Sequence, residues 1–152
     1  MRRAVQVGAA RFFWEYVMTE LQVCEETTDG VRVLVTPVYL DEQSDAEENQ
    51  YVWAYQVRLE NHGNAPVQLI TRRWRITDAN GRAHEVIGDG VVGETPILQP
   101  GDEYEYSSGT PLSTPSGFMT GIFQMLHASG HRFVVKVPTF SLDIPDSGGP
   151  VH

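Results

Sequence analysis

Cysteine is nearly absent from this chain, with Cys24 as the single example. No intramolecular disulfide and no cysteine-based zinc site can therefore form, which points to a reducing compartment. Lysine is equally scarce. Lys136 stands alone against ten arginines, which reads as a compositional bias of the source genome. No run of 18 apolar residues exists, so no helix is long and apolar enough to span a membrane. Positive charge is in deficit, with 11 Lys and Arg against 20 Asp and Glu and a formal charge of −9. That balance excludes broad nucleic-acid binding, whose affinity rests on cations neutralising phosphates. A chain of 152 residues buries roughly 70% of its unfolded surface and needs no staple to hold a core. The expectation is one soluble, acidic, cytoplasmic domain.

Fourteen glycines and nine prolines are scattered between short apolar runs, the punctuation of an all-β chain. Residues 1–28 differ from the rest. Arg2, Arg3 and Arg11 face only Glu15 over the first seventeen positions, and Phe13, Val17, Leu21 and Cys24 recur at helical spacing. This segment is read as an N-terminal extension, either a short amphipathic helix or frayed chain, with Met18 as an alternative start. Arg11 and Glu15 interrupt what a secretory signal would need.

From Gly30 the period becomes two. Val31, Val33 and Val35 alternate with Arg32, Leu34 and Thr36, and Asp41–Asn49 carries five acids and no base, a solvated loop. Tyr51, Trp53, Tyr55, Val57 and Leu59 share one strand face, with Gln56, Arg58 and Glu60 on a wet one. In the strand Val67–Thr77, the even positions carry Ile70, Arg72, Trp74 and Ile76, which turns Trp74 inward with Arg72 beside it and sends Arg73 and Arg75 to water. Asn80-Gly81 marks a hairpin. Further strands are expected at His84–Ile87, Tyr104–Ser107, Phe118–His127 and Arg132–Val137. About seven strands over residues 29–145 predict an immunoglobulin- or fibronectin type III-like antiparallel β-sandwich. Residues 146–152 read as a disordered tail.

Gly88-Asp89-Gly90-Val91-Val92-Gly93 is formally G-x-G-x-x-G. A dinucleotide site needs a helix to follow, whose N-terminus meets the pyrophosphate, but Pro96 and Pro100 preclude one. The segment is either a tight loop with glycines at positive φ or an N–H nest for an anion. Arg72, Arg73 and Arg75 are the best candidate anion contacts, because the guanidinium fork suits carboxylate and phosphate. Arg73 and Arg75 also fit a wet strand paired with surface acids. The loop Asp41–Glu48 lacks EF-hand spacing, and the five histidines show no ligand spacing, so the metal-binding residues are left open. No serine sits in a G-x-S-x-G elbow, and Ser107-Ser108-Gly109 and Ser116-Gly117 read as turn residues. No nucleophile–base arrangement emerges, so no catalytic residue is assigned.

The block Arg72-Arg73-Trp74-Arg75-Ile76-Thr77-Asp78, then Gly81, Val86, Gly88, Gly90-Val91-Val92-Gly93 and Pro96, resembles the ApaG (CorD) family. Its continuation does so too, through Leu98, Pro100-Gly101, Tyr104, Tyr106-Ser107-Ser108-Gly109, Leu112, Thr114, Gly117, Met119, Gly121, Phe123 and Met125 to Phe133, Val135, Val137-Pro138 and Phe140. The resemblance runs from about Gly30 to Ile144. It implies a fibronectin type III-like sandwich, an association with cobalt resistance and magnesium efflux, no enzymatic activity and no cofactor. Related domains in eukaryotic F-box and polymerase-interacting proteins imply protein–protein interaction. Many members carry His or Tyr where Arg73 stands, so no role of that ring transfers. The family's glycine-rich loop, with its proposed nucleotide contact, falls on Gly88, Gly90 and Gly93. Two functions are therefore expected as alternatives. One is an interaction module that engages a protein partner through an exposed edge or loop end. The other is a sensor that binds a phosphorylated metabolite or divalent cation at Gly88, Gly90 and Gly93 with Arg72 or Arg73.

Overall fold

The computed structural model describes residues 22–145. The tail 146–152 and most of the segment read as an N-terminal helix lie outside the described residues. The chain forms an all-β sandwich of two antiparallel sheets. Its strands are β1 (Cys24–Thr28), β2 (Val31–Tyr39), β3 (Tyr51–Asn61), β4 (Val67–Asp78), β5 (Ala83–Asp89), β6 (Ile97–Leu98), β7 (Glu103–Leu112), β8 (Ser116–His127) and β9 (Arg132–Asp143). Sheet A runs β1-β2-β3-β7, and sheet B runs β5-β4-β8-β9, with β6 added to the start of β4. The seven expected strands correspond to the seven longest of these.

Two short strands were not anticipated. Residues Cys24–Thr28 are extended, not helical, because they pair residue for residue with Val31–Val35 across the Asp29-Gly30 turn. The pair Ile97–Leu98 is held by Val67 and Gln68. Ser107, Ser108 and Gly109 are not turn residues but lie within β7, opposite Gln56, Tyr55 and Ala54.

The alternation of β3 places Tyr51, Trp53, Tyr55, Val57 and Leu59 in the core, as their spacing predicts. From β4, Trp74 enters the same core and meets Tyr55, Phe123 and Phe140 at ring-centroid distances of 5.3, 6.0 and 6.4 Å. Its indole lies over Gly121 of β8, where a Cβ would come within 2.8 Å of the ring. The parity of β4 changes once. The register with β8 shifts between Leu69 and Thr71, so Ile70 is the extra residue of a bulge. Val67 and Leu69 are therefore the buried pair upstream, and Ile70, expected to be inward, is only half-buried.

The outer face of sheet A is less wet than alternation predicts, since Gln56 and Glu60 are buried. Glu60 stands directly opposite Glu103 in the β3–β7 register, a like-charge pairing that destabilises a sheet. Arg58 resolves it by reaching Glu60 at 2.9 Å and Glu103 at 2.8 Å. Arg32 at 3.3 Å and His62 at 2.7 Å complete the shell around Glu60. Burial works against ionisation of Glu60, but His62, Arg58 and Arg32 outweigh it and hold the carboxyl below its ordinary value of 4.5. A depressed carboxyl stabilises the fold above its unfolded pKa, and that stabilisation is lost as pH falls through the folded pKa. Urea midpoints are therefore expected to decline as pH drops below 4.5, and Glu60→Gln should flatten the decline.

Candidate functional site

Strand β5 hands the chain into the glycine-rich loop, and Arg72 holds that junction. Arg72 lies on the inner face of β4, and its Nη1 donates to the carbonyls of Asp89 at 3.1 Å and Gly90 at 2.8 Å. Gly88 pairs with Arg72 across the β4–β5 ladder. A Cβ at Gly88 would meet Nη1 at 2.8 Å and Cζ at 3.0 Å, so the missing side chain is the space the guanidinium occupies.

Beyond this point the backbone turns tightly. Gly90 has φ +63°, and a Cβ there would collide with the Glu94 carbonyl. Val91 is fully buried, and Val91 and Glu94 exchange both N–H···O bonds at 2.8 and 2.9 Å. Between them Val92 and Gly93 have φ of 42° and 81°, the geometry of a type I′ turn. A left-handed conformation is strained for a β-branched residue such as Val92.

The donors of the loop are largely spoken for. The Gly90 N–H goes to Ile70 O at 2.7 Å and the Val91 N–H to Glu94 O. Arg72 itself faces carbonyls. Two phenols lie within reach of its charge: Tyr55, whose hydroxyl bonds Ser108, and Tyr106, whose buried hydroxyl has no hydrogen-bond partner among the described residues. Burial pushes both phenols above their ordinary value, Tyr106 further, while the Arg72 charge pulls the other way.

Of the five candidate residues, Arg72, Gly88 and Gly90 come together, and Gly93 sits at the turn tip. Arg73 does not join them. It projects from the opposite face of β4, where Arg73 and Arg75 share Glu85 at 3.6 and 3.7 Å. In the acidic segment, Asp41–Gln43 and Ala46–Glu48 form two single 3₁₀ turns with every carboxylate exposed. Among the described residues, no three His, Cys, Asp or Glu gather into a set that could hold a metal ion.

The sequence does not reveal the open edge of sheet B. The Asp78 N–H bonds Arg82 O at 2.9 Å and the Gly90 N–H bonds Ile70 O, and with the β4–β5 register this fixes the alternation of the ladder. Even-numbered residues of β5 bond β4, so Ala83, Glu85 and Ile87 turn their N–H and C=O groups outward. Both faces of β5 are exposed as well, Ile87 to 64%. The sequence signal was the expected strand at His84–Ile87, but a strand read from one segment does not tell an edge from a central strand.

These features define a two-sheet, fibronectin type III-like sandwich with an arginine-clamped glycine loop beside an edge that is unpaired among the described residues. The model of the ApaG domain matches residues 41–127. Protein ApaG of Rhodospirillum centenum is 58% identical over 120 residues, covering 79% of this chain and 92% of that protein. Protein ApaG of Brucella canis is 54% identical over 119 residues, covering 78% and 92%. The crystal structure of a protein described as ApaA from Bordetella pertussis superposes with a TM-score of 0.74 at 46% identity, over 81% of this chain and 97% of that one. The chain belongs to the ApaG family.

Replacement of Gly88 by Val is expected to expel Arg72 from the Asp89 and Gly90 carbonyls. Amide exchange at Val91 and Glu94 should then quicken by about tenfold or more, the scale of a lost charge-assisted hydrogen bond. Arg72→Met should produce the same change without added bulk. Unchanged exchange in both variants would show that Arg72 does not hold the loop.

Proposed function

We propose that the chain is a non-enzymatic, ApaG-type interaction module of the cytoplasm that acts in cobalt resistance and magnesium homeostasis by adding a strand of a partner protein to β5. The observation that carries this reading is the outward row of backbone donors and acceptors at Ala83, Glu85 and Ile87. An open edge is a template for a further strand, in which main-chain bonds give affinity and alternate side chains give specificity. The domain boundaries that go with it are an extension over 1–28, of which Cys24–Thr28 pairs into sheet A, a sandwich over 29–145 and a tail over 146–152. Ile87 gives the cleanest test, because its N–H points away from β4 and proline there removes no ladder bond. Ile87→Pro should stay folded and lose partners that the wild type retains from a bacterial extract. With the purified partner, the amides of Ala83, Glu85 and Ile87 should become protected from exchange. Partners retained equally by both proteins, or edge amides left unprotected, would refute the reading.

A second reading is supported by the contact between Arg72 and the loop. In this one, Gly88, Gly90, Gly93 and Arg72 sense a phosphorylated metabolite or divalent cation. Titration of labelled protein with Mg²⁺, Co²⁺, ATP and diadenosine tetraphosphate tests it. Saturable shifts confined to Gly88, Gly90 and Gly93 are its expected result, and flat spectra at millimolar ligand eliminate it.

A further inference from the structure

Residues 22–145 carry eight of the chain's eleven Lys and Arg residues, and their distribution is uneven. Arg32 and Arg58 are bound into the carboxylates of sheet A, with contacts as short as 2.6 and 2.8 Å. Arg72 is committed to the loop carbonyls. Arg82 lies in the β4–β5 turn. The remaining four, Arg73, Arg75, Arg132 and Lys136, are all exposed and all on the outer face of sheet B.

Acids on that face are few. Glu85 is the one at its centre, shared between Arg73 and Arg75 at 3.6 and 3.7 Å, where the tightest pairs of sheet A close to 2.6, 2.8 and 2.9 Å. Asp89 and Asp143 lie at its corners, the last residues of β5 and β9. Arg132 and Lys136 have no ion-pair partner among the described residues. A face with surplus positive charge therefore sits on a domain that is otherwise strongly acidic.

Apolar side chains stand between these cations. The ladder registers align Ile87, Arg73, Ile122 and Lys136 in one row across β5, β4, β8 and β9. Val134 and Phe118 of the same face are 45% and 43% exposed. A shallow depression of about 230 Å³ opens beside the row, lined by Arg73, Arg75, Glu85, Thr120, Gly121 and Ile122.

We propose that this outer face is a docking surface for an acidic polypeptide. Its carboxylates meet Arg73, Arg75 and Lys136, and its apolar side chains cover Ile87 and Ile122. Charge complementarity selects the partner and steers its approach. The alternation of cations with Ile87, Ile122 and Val134 fits a chain of mixed acidic and apolar side chains better than a phosphate backbone, which offers no apolar contact. The proposal deepens the interaction-module reading but stands on the face, not on the β5 edge.

The test uses the full chain, isotope-labelled, titrated with a synthetic peptide alternating glutamate and valine. Its lysine–valine counterpart and an oligothymidylate serve as the other arms. Shifts at Arg73, Arg75, Ile122 and Lys136 are expected with the acidic peptide, weakening about threefold or more when salt rises from about 0.05 to 0.3 M. The double variant Arg73→Glu with Arg75→Glu should lose affinity about tenfold or more, and Arg73→Gln with Arg75→Gln an intermediate amount. The proposal is overturned if the lysine–valine peptide or the oligonucleotide binds this face as well as the acidic peptide. It also falls if the acidic peptide shifts other residues or none. Binding that survives Ala83→Pro, which removes an outward edge donor at a residue outside the docking contacts, but not charge reversal separates the face from the edge. Protection of the Glu85 and Ile87 amides that is indifferent to charge reversal retains the edge and removes the acidic partner.

Discussion

The packing of Trp74 between the two sheets governs the layout of everything around it. Its ring touches Tyr55 from sheet A and Phe123 and Phe140 from its own sheet, and the bare backbone of Gly121 lets it lie close to β8. A strand repeats every two residues, so an inward Trp74 leaves its neighbours no choice. Arg73 and Arg75 must project outward. Arg72 must share the inner side of the strand, where a guanidinium cannot remain without acceptors. The carbonyls of Asp89 and Gly90 supply them, and the glycine at position 88 supplies the room. The loop clamp and the basic outer face are thus two consequences of one aromatic side chain.

The Ile70 bulge is the compensation that makes this parity workable. Without it, the alternation that buries Trp74 and Ile76 would turn Val67 and Leu69 to solvent. One inserted residue restores both to the core. It also aims the Ile70 carbonyl at the N–H of Gly90, so the irregularity in β4 anchors the loop beside it. Gly90 is held from both flanks, its N–H by Ile70 and its carbonyl by Arg72. That double restraint is what a left-handed residue and a strained Val92 require in order to persist.

Much of this was legible in the amino-acid order, and the reason is local. The runs Tyr51–Leu59 and Arg72–Ile76 carry their own period, so the faces of β3 and β4 follow from residue type, as does the separation of Arg72 from Arg73. The illegible parts depend on partners distant in sequence. The bulge at Ile70 exists only relative to β8. The strand character of Cys24–Thr28 comes from pairing with β2, while its spacing alone continued a helical repeat. The Ser107-Ser108-Gly109 run has turn composition, yet β3 lays it into β7 opposite Tyr55. The open edge of β5 is likewise a property of strand order, which no single strand encodes.

Strand order also accounts for where the two candidate interaction features lie. On one side of the sandwich β1 packs against β9, and the Lys136 N–H donates to Thr28 Oγ1 at 3.2 Å, so the edges of the two sheets shield each other. On the other side β7 ends in a run containing Pro111, which removes a backbone donor from that edge. β5 has neither protection, and it carries no proline or lysine. The charge pattern divides along the same line. Sheet A spends its arginines internally, on Glu25, Glu60, Glu103 and Glu105, and its outer face serves stability. Sheet B has one central carboxylate for two arginines and leaves its other cations to solvent, which contributes little to folding, because exposed ion pairs are worth about 0–1 kcal/mol. Residues that add so little to stability while facing solvent beside an unpaired edge are free to be shaped by a partner. The two sheets therefore use their cations differently, sheet A inside its own ion pairs and sheet B at its solvent face.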